Sequence, residues 1–260
     1  MAQRRKIKLS ECSVFHYWRL AYRSVLFVAA TVIYILGRVR GGGTLWEWAE
    51  SRWFLLPAIW VIFAVEMVSR MFPSRIESMG CEKQFARNYR PPAEPREPAL
   101  QEERGAWLVL VSWVALNGVI GMLYFLGILD QGIMLLICLA YSVCDMVCIL
   151  FFCPFQTWML KNRCCTTCRI YNWDYAMMFT PLLFVPGLYT WSLLAMAIVL
   201  LLAWEVRYAL YPERFSEATN RSLACANCTE KLCHHKKQLL RLWEQWKLQA
   251  ERLQQRLEKR

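Results

Sequence analysis

The stretch that decides the fold is GIMLLICLAYSVCDMVCILFF, residues 132–152, which is followed at once by a cysteine-bearing loop over residues 153–169. Asp145 is the only charged residue in this run. An apolar run of about 20 residues is long enough to cross the hydrocarbon core of a bilayer as a helix. The stretch therefore predicts a transmembrane helix with a loop of thiols at one of its ends.

Similar runs recur through the first four fifths of the chain, and 57% of all residues are hydrophobic, more than a soluble domain normally carries. We expect an all-α integral membrane protein with about six transmembrane helices, in a domain covering residues 1–208. The predicted spans are residues 22–37, 53–72, 107–129, 132–152, 170–186 and 188–206. The fifth is short and interrupted by proline, so a five-span protein with a re-entrant segment is the alternative.

The basic residues predict the orientation of these spans. With six spans and a cytosolic N-terminus, 28 of the 31 Lys and Arg residues lie inside, and only Arg38, Arg40 and Arg52 lie outside. This asymmetry follows the positive-inside rule. We therefore expect a bacterial-type cytoplasmic membrane protein with both termini in the cytosol, together with the proline-rich loop 73–106 and the cysteine loop 153–169.

The net charge of +11 has a simple explanation in this topology. Basic residues at the inner ends of helices direct insertion and contact anionic lipid headgroups. The expected partner of the chain is therefore the lipid bilayer, and we expect no binding to nucleic acid.

Cysteine is the second strong signal, because eight of the 12 cysteines fall in the predicted cytosolic segments and none falls outside. This distribution favours reduced or metal-bound thiols over structural disulfides. The eight candidate metal ligands are Cys81, Cys153, Cys164, Cys165, Cys168, Cys225, Cys228 and Cys233.

Two Cys-x-x-Cys turns among these residues predict a metal site. Cys165 with Cys168 in the loop, and Cys225 with Cys228 in the tail, can close a tetrahedral thiolate site between the two segments. With zinc bound, this would be a structural site that joins the loop to the tail. The remaining four thiols would be enough for a second four-cysteine site, so iron–sulfur clusters are equally open. Unligated cytosolic thiols are the third alternative.

Two carboxylates inside the predicted spans are candidates for proton handling. Glu66 in the second span and Asp145 in the fourth are expected at similar depth, beneath the cysteine loops. An ionisable residue within a membrane is costly and by default indicates a function. The alternative for Glu66 is an ion pair with Arg70, one helical turn later. Asp145 is flanked by Cys144 and Cys148 on the same helix.

The remainder of the chain, residues 209–260, is predicted to be a cytosolic cysteine-rich tail that ends in an amphipathic or coiled-coil helix. Apolar residues alternate four and three apart over residues 239–257, which indicates a heptad seam. This helix would bind a partner, dimerise or lie along the inner leaflet.

Within the third span, Asn117 is expected to form a hydrogen bond to another helix.

Three functions are consistent with these features. The first is a membrane-embedded redox or electron-transfer component with a cysteine-ligated metal centre at its cytosolic face. The second is a non-catalytic membrane anchor or assembly protein with a structural zinc site and a partner-binding terminal helix. The third is a small transporter that uses Glu66 and Asp145. No catalytic motif is present in the sequence, so whether the protein is an enzyme stays open.

Overall fold

The computed structural model describes residues 11–40, 45–72, 79–94, 96–100, 103–162 and 164–227, and within these ranges the chain is helical with no strand. The α-helices are α1 (Glu11–Arg40), α2 (Leu45–Glu50), α3 (Leu55–Met71), α4 (Met79–Gln84), α5 (Glu103–Phe125), α6 (Gln131–Leu150), α7 (Asp174–Phe179) and α8 (Leu188–Leu210). The predicted terminal helix, over residues 239–257, lies outside the described residues.

Four helices are long and apolar enough to cross a membrane: residues Ser13–Arg40 of α1, together with α5, α6 and α8. Their surfaces and that of α3 are apolar, and Val25, Val65, Val111 and Val199 are each more than half exposed. Arg23, in contrast, is completely buried. An apolar exterior around buried charges is the reverse of a soluble protein and is the arrangement expected of helices in lipid.

Helices α1 and α6 run antiparallel, and polar contacts join the end of α1 to the start of α6. Asp130 caps α6, because its side chain accepts a hydrogen bond of 2.8 Å from the backbone N–H of Ile133. The same carboxylate accepts a hydrogen bond of 3.0 Å from Tyr34 and pairs with Arg38, both in the last turns of α1. One aspartate therefore starts α6 and anchors the end of α1.

The third predicted span ended at residue 129, but α5 ends at Phe125. The reason is a left-handed residue, Gly127, with φ of 73°. Gly127 donates a backbone hydrogen bond of 2.9 Å to Tyr124, and Ile128 donates one of 3.0 Å to Leu123. This pattern is a Schellman motif, which stops a helix just before its glycine.

The fifth predicted span, residues 170–186, is not one continuous helix. The six-residue α7 lies between two 3-10 segments, Arg169–Asn172 and Thr180–Phe184. Pro181 has no N–H to donate and cannot continue α7. The hydroxyl of Thr180 also donates a hydrogen bond of 2.8 Å to the carbonyl of Ala176, a contact that bends helices.

This broken segment nevertheless runs between the two ends of the bundle. At its start, Asp174 pairs with Arg70 in the last turn of α3. At its finish, the ring of Phe184 packs on the rings of Tyr124 and Phe125 at the far end of α5, with centroid distances of 6.1 and 5.7 Å. The neighbouring helices of the segment are α5, α6 and α8.

We call the end where α3, α6 and α8 finish the cysteine end, because the turn Cys165–Thr167 lies there. Gln84 of α4 donates a hydrogen bond of 2.9 Å to the carbonyl of Thr166 in this turn. The side chain of Asn220, in the tail, donates one of 3.0 Å to the carbonyl of Lys83. The cysteine turn, α4 and the first part of the tail therefore pack at the same end.

Alanine substitutions at two glycines, one turn apart on α5, test the position of the broken segment. A Cβ atom added at Gly121 would lie 2.7 Å from Cε1 of Phe184, whereas one added at Gly118 would meet nothing within 4 Å. We expect Gly121→Ala to lower the free energy of unfolding by about 1–3 kcal/mol through overpacking. Gly118→Ala should leave it unchanged or slightly raise it. Thermal unfolding in detergent measures both, and equal melting temperatures would mean that Phe184 does not pack on α5.

Candidate functional site

Six charged side chains form a buried ion-pair cluster between α1, α3, α6 and α7. Its members are Arg19, Arg23, Arg70, Glu66, Asp145 and Asp174. Three positive charges thus meet three negative ones. Because uncompensated charges are costly inside a membrane, this balance is a condition for placing the residues there.

Glu66 is the centre of the cluster and has four partners. Its Oε1 lies 2.9 Å from Nε of Arg19 and accepts a hydrogen bond of 2.6 Å from the hydroxyl of Tyr22. Its Oε2 accepts hydrogen bonds of 2.7 Å from Arg23 and 3.0 Å from the hydroxyl of Tyr175. Three hydrogen bonds and the ion pair with Arg19 around one carboxylate describe a fixed, ionised group.

Arg23 joins the two intramembrane carboxylates. Its Nη2 contacts Glu66, while its Nη1 lies 3.1 Å from Oδ2 of Asp145 and donates a hydrogen bond of 3.1 Å to the carbonyl of Ser142. The side chain of Arg23 is 0% exposed. A single guanidinium fork therefore holds α1 against both α3 and α6.

Tyr175 connects this half of the cluster to the pair formed by Arg70 and Asp174. The guanidinium carbon of Arg70 lies 5.0 Å from the centre of the Tyr175 ring, and that of Arg23 lies 5.9 Å from it. Both contacts are within the range of cation–π attraction. The sequence left open an ion pair between Glu66 and Arg70. In the structure Glu66 pairs with Arg19 and Arg23 of α1, and Arg70 pairs with Asp174 of α7.

Sequence reasoning missed the arginines of this cluster, although a signal was present. Arg19 and Arg23 are four residues apart and therefore share one face of α1. Arg23 also lies inside the first apolar run. A cation in one predicted span and carboxylates in two others indicate that the three helices meet.

Beside the cluster lies a cavity of about 280 Å³, between α6, α7 and the loop that joins them. Asp145 and Asp174 line it, and Trp113, Tyr141 and Met177 contribute apolar walls. Five cysteines also line this cavity, and we call it the cysteine cavity: Cys144, Cys148, Cys153, Cys165 and Cys168.

Two cysteines of the cavity lie at the end of α6. Cys148 is in the last turn of the helix and Cys153 follows three residues after its end, and both line the cavity. Burial, followed by the proximity of Cys165 and Cys153, raises the pKa of the Cys168 thiol. A raised pKa keeps Cys168 protonated at neutral pH, and a protonated thiol is a poor nucleophile.

The structure brings together only part of the predicted metal-ligand set. Cys153, Cys165 and Cys168 line the cysteine cavity. Cys164 is half-buried, and its thiol lies 2.9 Å from the hydroxyl of Thr166. No three His, Cys, Asp or Glu side chains are arranged to hold a metal ion among the residues that the structure describes.

The other predicted ligands fall outside what the structure describes in side-chain detail. Cys81 belongs to α4 and Cys225 begins the turn Cys225–Asn227, but only their backbones are described. Cys228 and Cys233 lie beyond residue 227. The predicted site between loop and tail therefore stays a prediction.

The two predicted proton-handling residues have different surroundings. Asp145 lines the cysteine cavity and is held by Arg23 alone among the ion pairs of the described residues. Glu66 does not line the cavity, and its two oxygens accept three hydrogen bonds and form an ion pair with Arg19. Asp145 is therefore the better candidate to exchange a proton with a group in the cavity.

The chain matches no protein-family model, no curated protein and no solved structure. Its chemistry is therefore inferred from the side chains that the fold brings together.

Replacing Arg23 tests the importance of the ion-pair cluster. We expect Arg23→Met to lower the free energy of unfolding by about 3–5 kcal/mol, because it leaves buried carboxylates without their shared cation. Arg38→Met is the matched control on the same helix, since Arg38 is 65% exposed, and it should change little. Melting temperatures of both variants in one detergent give the comparison. If the two variants unfold at the same temperature, the cluster does not stabilise the fold.

Proposed function

We propose that the chain crosses a cytoplasmic membrane six times, with the cysteine end and both termini in the cytosol. Besides the four long apolar helices, α3 contributes 17 residues, about 26 Å of helix. The broken segment from Asp174 to Phe184 contributes the remaining crossing, and its contacts at both ends of the bundle support this assignment.

The distribution of basic residues supports the same orientation. Only three of the 31 Lys and Arg residues fall on the side opposite the cysteine end in this topology. Arg19 and Arg23 are turned into the ion-pair cluster and are not flanking charges. The excess on the cysteine side remains large without them, and the positive-inside rule assigns that side to the cytosol.

We infer further that the protein is a membrane-embedded redox component that transfers electrons through its cysteine cavity. The observation that carries this proposal is the convergence of five cysteines from α6, its following loop and the Cys165–Thr167 turn on one cavity. Cys138, also on α6, is instead buried in the apolar core. The clustering is therefore a property of this cavity and not of α6 as a whole.

Cys148 and Cys153 are the pair that we assign to the electron transfer, because both line the cysteine cavity and they lie five residues apart on either side of the end of α6. On oxidation the two S–H bonds break, one S–S bond forms, and two electrons and two protons leave the pair. An acceptor of the quinone class takes up both electrons and both protons and becomes a quinol. The apolar walls of the cavity suit a flat acceptor that is soluble in the membrane.

Asp145 is the residue that we assign to the protons. It lines the cavity next to Cys144 and Cys148 on α6. A carboxylate at this position can accept a thiol proton and pass it to the acceptor. Glu66 is assigned a structural role, because three hydrogen bonds and the ion pair with Arg19 hold it outside the cavity. This saturation also disfavours a transporter in which Glu66 binds an ion.

The metal-bound form of this proposal depends on thiols beyond the cavity. Cys81, Cys225, Cys228 and Cys233 would have to complete a ligand set with the cysteines of the loop. Iron and acid-labile sulfide in anaerobically purified protein would add an iron–sulfur cluster to the redox function. Zinc without sulfide would favour an assembly protein, in which the helix predicted over residues 239–257 binds a protein partner or a second copy.

Oxidation by a quinone tests the proposed function directly. We expect the reduced protein to convert a short-chain benzoquinone to its quinol and to form a Cys148–Cys153 disulfide in stoichiometric amount. Absorbance measures the quinol, and peptide mass spectrometry locates the disulfide. Cys153→Ser should abolish both, whereas Cys138→Ala, on the same helix but outside the cavity, should change neither.

A second variant separates the electron step from the proton step. Asp145→Asn should slow oxidation by the quinone but should still permit the disulfide to form with a small water-soluble oxidant. Undiminished quinone reduction by Cys153→Ser would overturn the assignment of the thiol pair. An unchanged rate in a folded Asp145→Asn variant would remove Asp145 from the mechanism.

Labelling of Cys164 tests the proposed orientation. We expect a membrane-impermeant maleimide to modify this half-exposed thiol in inverted vesicles and not in right-side-out vesicles. Ser51→Cys, at an exposed position between α2 and α3, should show the opposite pattern. Mass spectrometry of the labelled peptides reads both positions, and labelling of both residues from the same side would contradict six crossings.

A further inference from the structure

A second cavity lies on the other side of Trp113 and Met177, which line both cavities. It has a volume of about 460 Å³ and lies between α5, α8 and the segment 173–184. Its walls are almost entirely apolar, and we call it the Asn117 cavity. A cavity of this size can hold a small ligand or part of a lipid chain.

The polar group that distinguishes the Asn117 cavity is Asn117 itself. Its side chain lies midway along α5, is 3% exposed and lines the cavity. The amide Nδ2 donates a hydrogen bond of 3.0 Å to the carbonyl of Trp113 within α5. The predicted hydrogen bond to another helix is therefore wrong for the donor half of this amide, which is used within its own helix.

The acceptor half of Asn117 is unused. Its Oδ1 is buried and has no hydrogen-bond partner in the part of the chain that the structure describes. A buried carbonyl oxygen without a donor costs free energy, and the cost is greater where no water is present. The hydroxyl of Thr180 also lies at the cavity, but it already accepts a hydrogen bond of 3.2 Å from Trp113 Nε1 and donates one of 2.8 Å to the carbonyl of Ala176.

We propose that the Asn117 cavity binds an apolar molecule that donates a hydroxyl hydrogen bond to Oδ1 of Asn117. The apolar walls select a molecule that partitions into the membrane, and the unsatisfied oxygen selects a donor over an acceptor. Two sources share this chemistry: a quinol, which carries hydroxyls where its quinone carries carbonyls, and a long-chain alcohol or hydroxylated lipid. The inference does not depend on the redox function, but a quinol would identify the electron partner of that function.

Photo-crosslinking of the full-length protein in detergent tests this proposal. The probes are a long-chain alcohol that carries a diazirine and the methyl ether of the same alcohol, which cannot donate. We expect the alcohol to label peptides of α5 and the segment 173–184 at least about fivefold more than the ether, the value of one hydrogen bond. Equal labelling by the two probes would overturn the proposal.

Three variants on α5 assign the labelling to the cavity. Asn117→Leu keeps the approximate size and should remove the preference for the alcohol. Gly118→Phe should remove labelling by both probes, because Gly118 lines the cavity and has open space beside it. Val119→Phe adds similar bulk at a position that is 51% exposed, and it should behave as the wild type.

Melting temperatures show that each variant is folded, and Gly118→Phe provides an independent test if Asn117→Leu does not fold. Retained preference in Asn117→Leu, or undiminished labelling in Gly118→Phe, would contradict the proposal.

Competition distinguishes the two sources. The competitors are a short-chain benzoquinol, its quinone and an unlabelled long-chain alcohol. Competition by the quinol, with little by the quinone, would assign the cavity to a redox ligand. Competition by the alcohol alone would assign it to a hydroxylated lipid. If no competitor reduces labelling, the cavity is not a specific site and the proposal fails.

Discussion

The two ion pairs by which Arg23 bridges Glu66 and Asp145 are the interaction on which the rest of the bundle depends. A guanidinium buried among apolar helices must be neutralised where it lies, since it has no access to water and does not lose its proton. The two carboxylates come from α3 and α6, so the position of α1 is determined relative to both helices. Tyr175 extends the same constraint to α7 through its hydroxyl and its ring. Polar contacts thereby specify a packing that apolar helices in lipid would otherwise leave loosely determined.

The ion-pair cluster also positions the chemistry. Asp145 and Asp174 belong to the cluster and line the cysteine cavity, so the charges that fix the helices form one wall of the space that contains the thiols. The segment 173–184 also lies between two cavities, since Met177 lines both the cysteine cavity and the Asn117 cavity, and the Asn117 cavity lies towards α8.

Hydrophobic length was a reliable guide to where the chain forms long helices, since α6 begins and ends within two residues of the predicted span. The prediction failed at the end of α5, where Gly127 stops the helix early through its left-handed conformation. Hydrophobicity over about 20 residues cannot register this event, because it depends on one missing side chain. The interruption of the fifth span was visible in the sequence as proline, since Pro181 has no N–H to continue a helix. The partners of Glu66 were missed for another reason: proximity along one helix favoured Arg70, whereas the structure places two arginines of α1 closer.

By itself the sequence determined the all-helical character of this protein, the apolar length of its main helices and the concentration of cysteines near one end, because these follow from composition and spacing alone. Only the tertiary structure decided which residues meet. The convergence of Cys144 and Cys148 with Cys153, Cys165 and Cys168 needs α6 to face its own loop across a cavity, and no local pattern encodes that geometry. The unpaired oxygen of Asn117 is likewise invisible in the sequence, since an acceptor becomes unsatisfied only when the surrounding helices have excluded every donor.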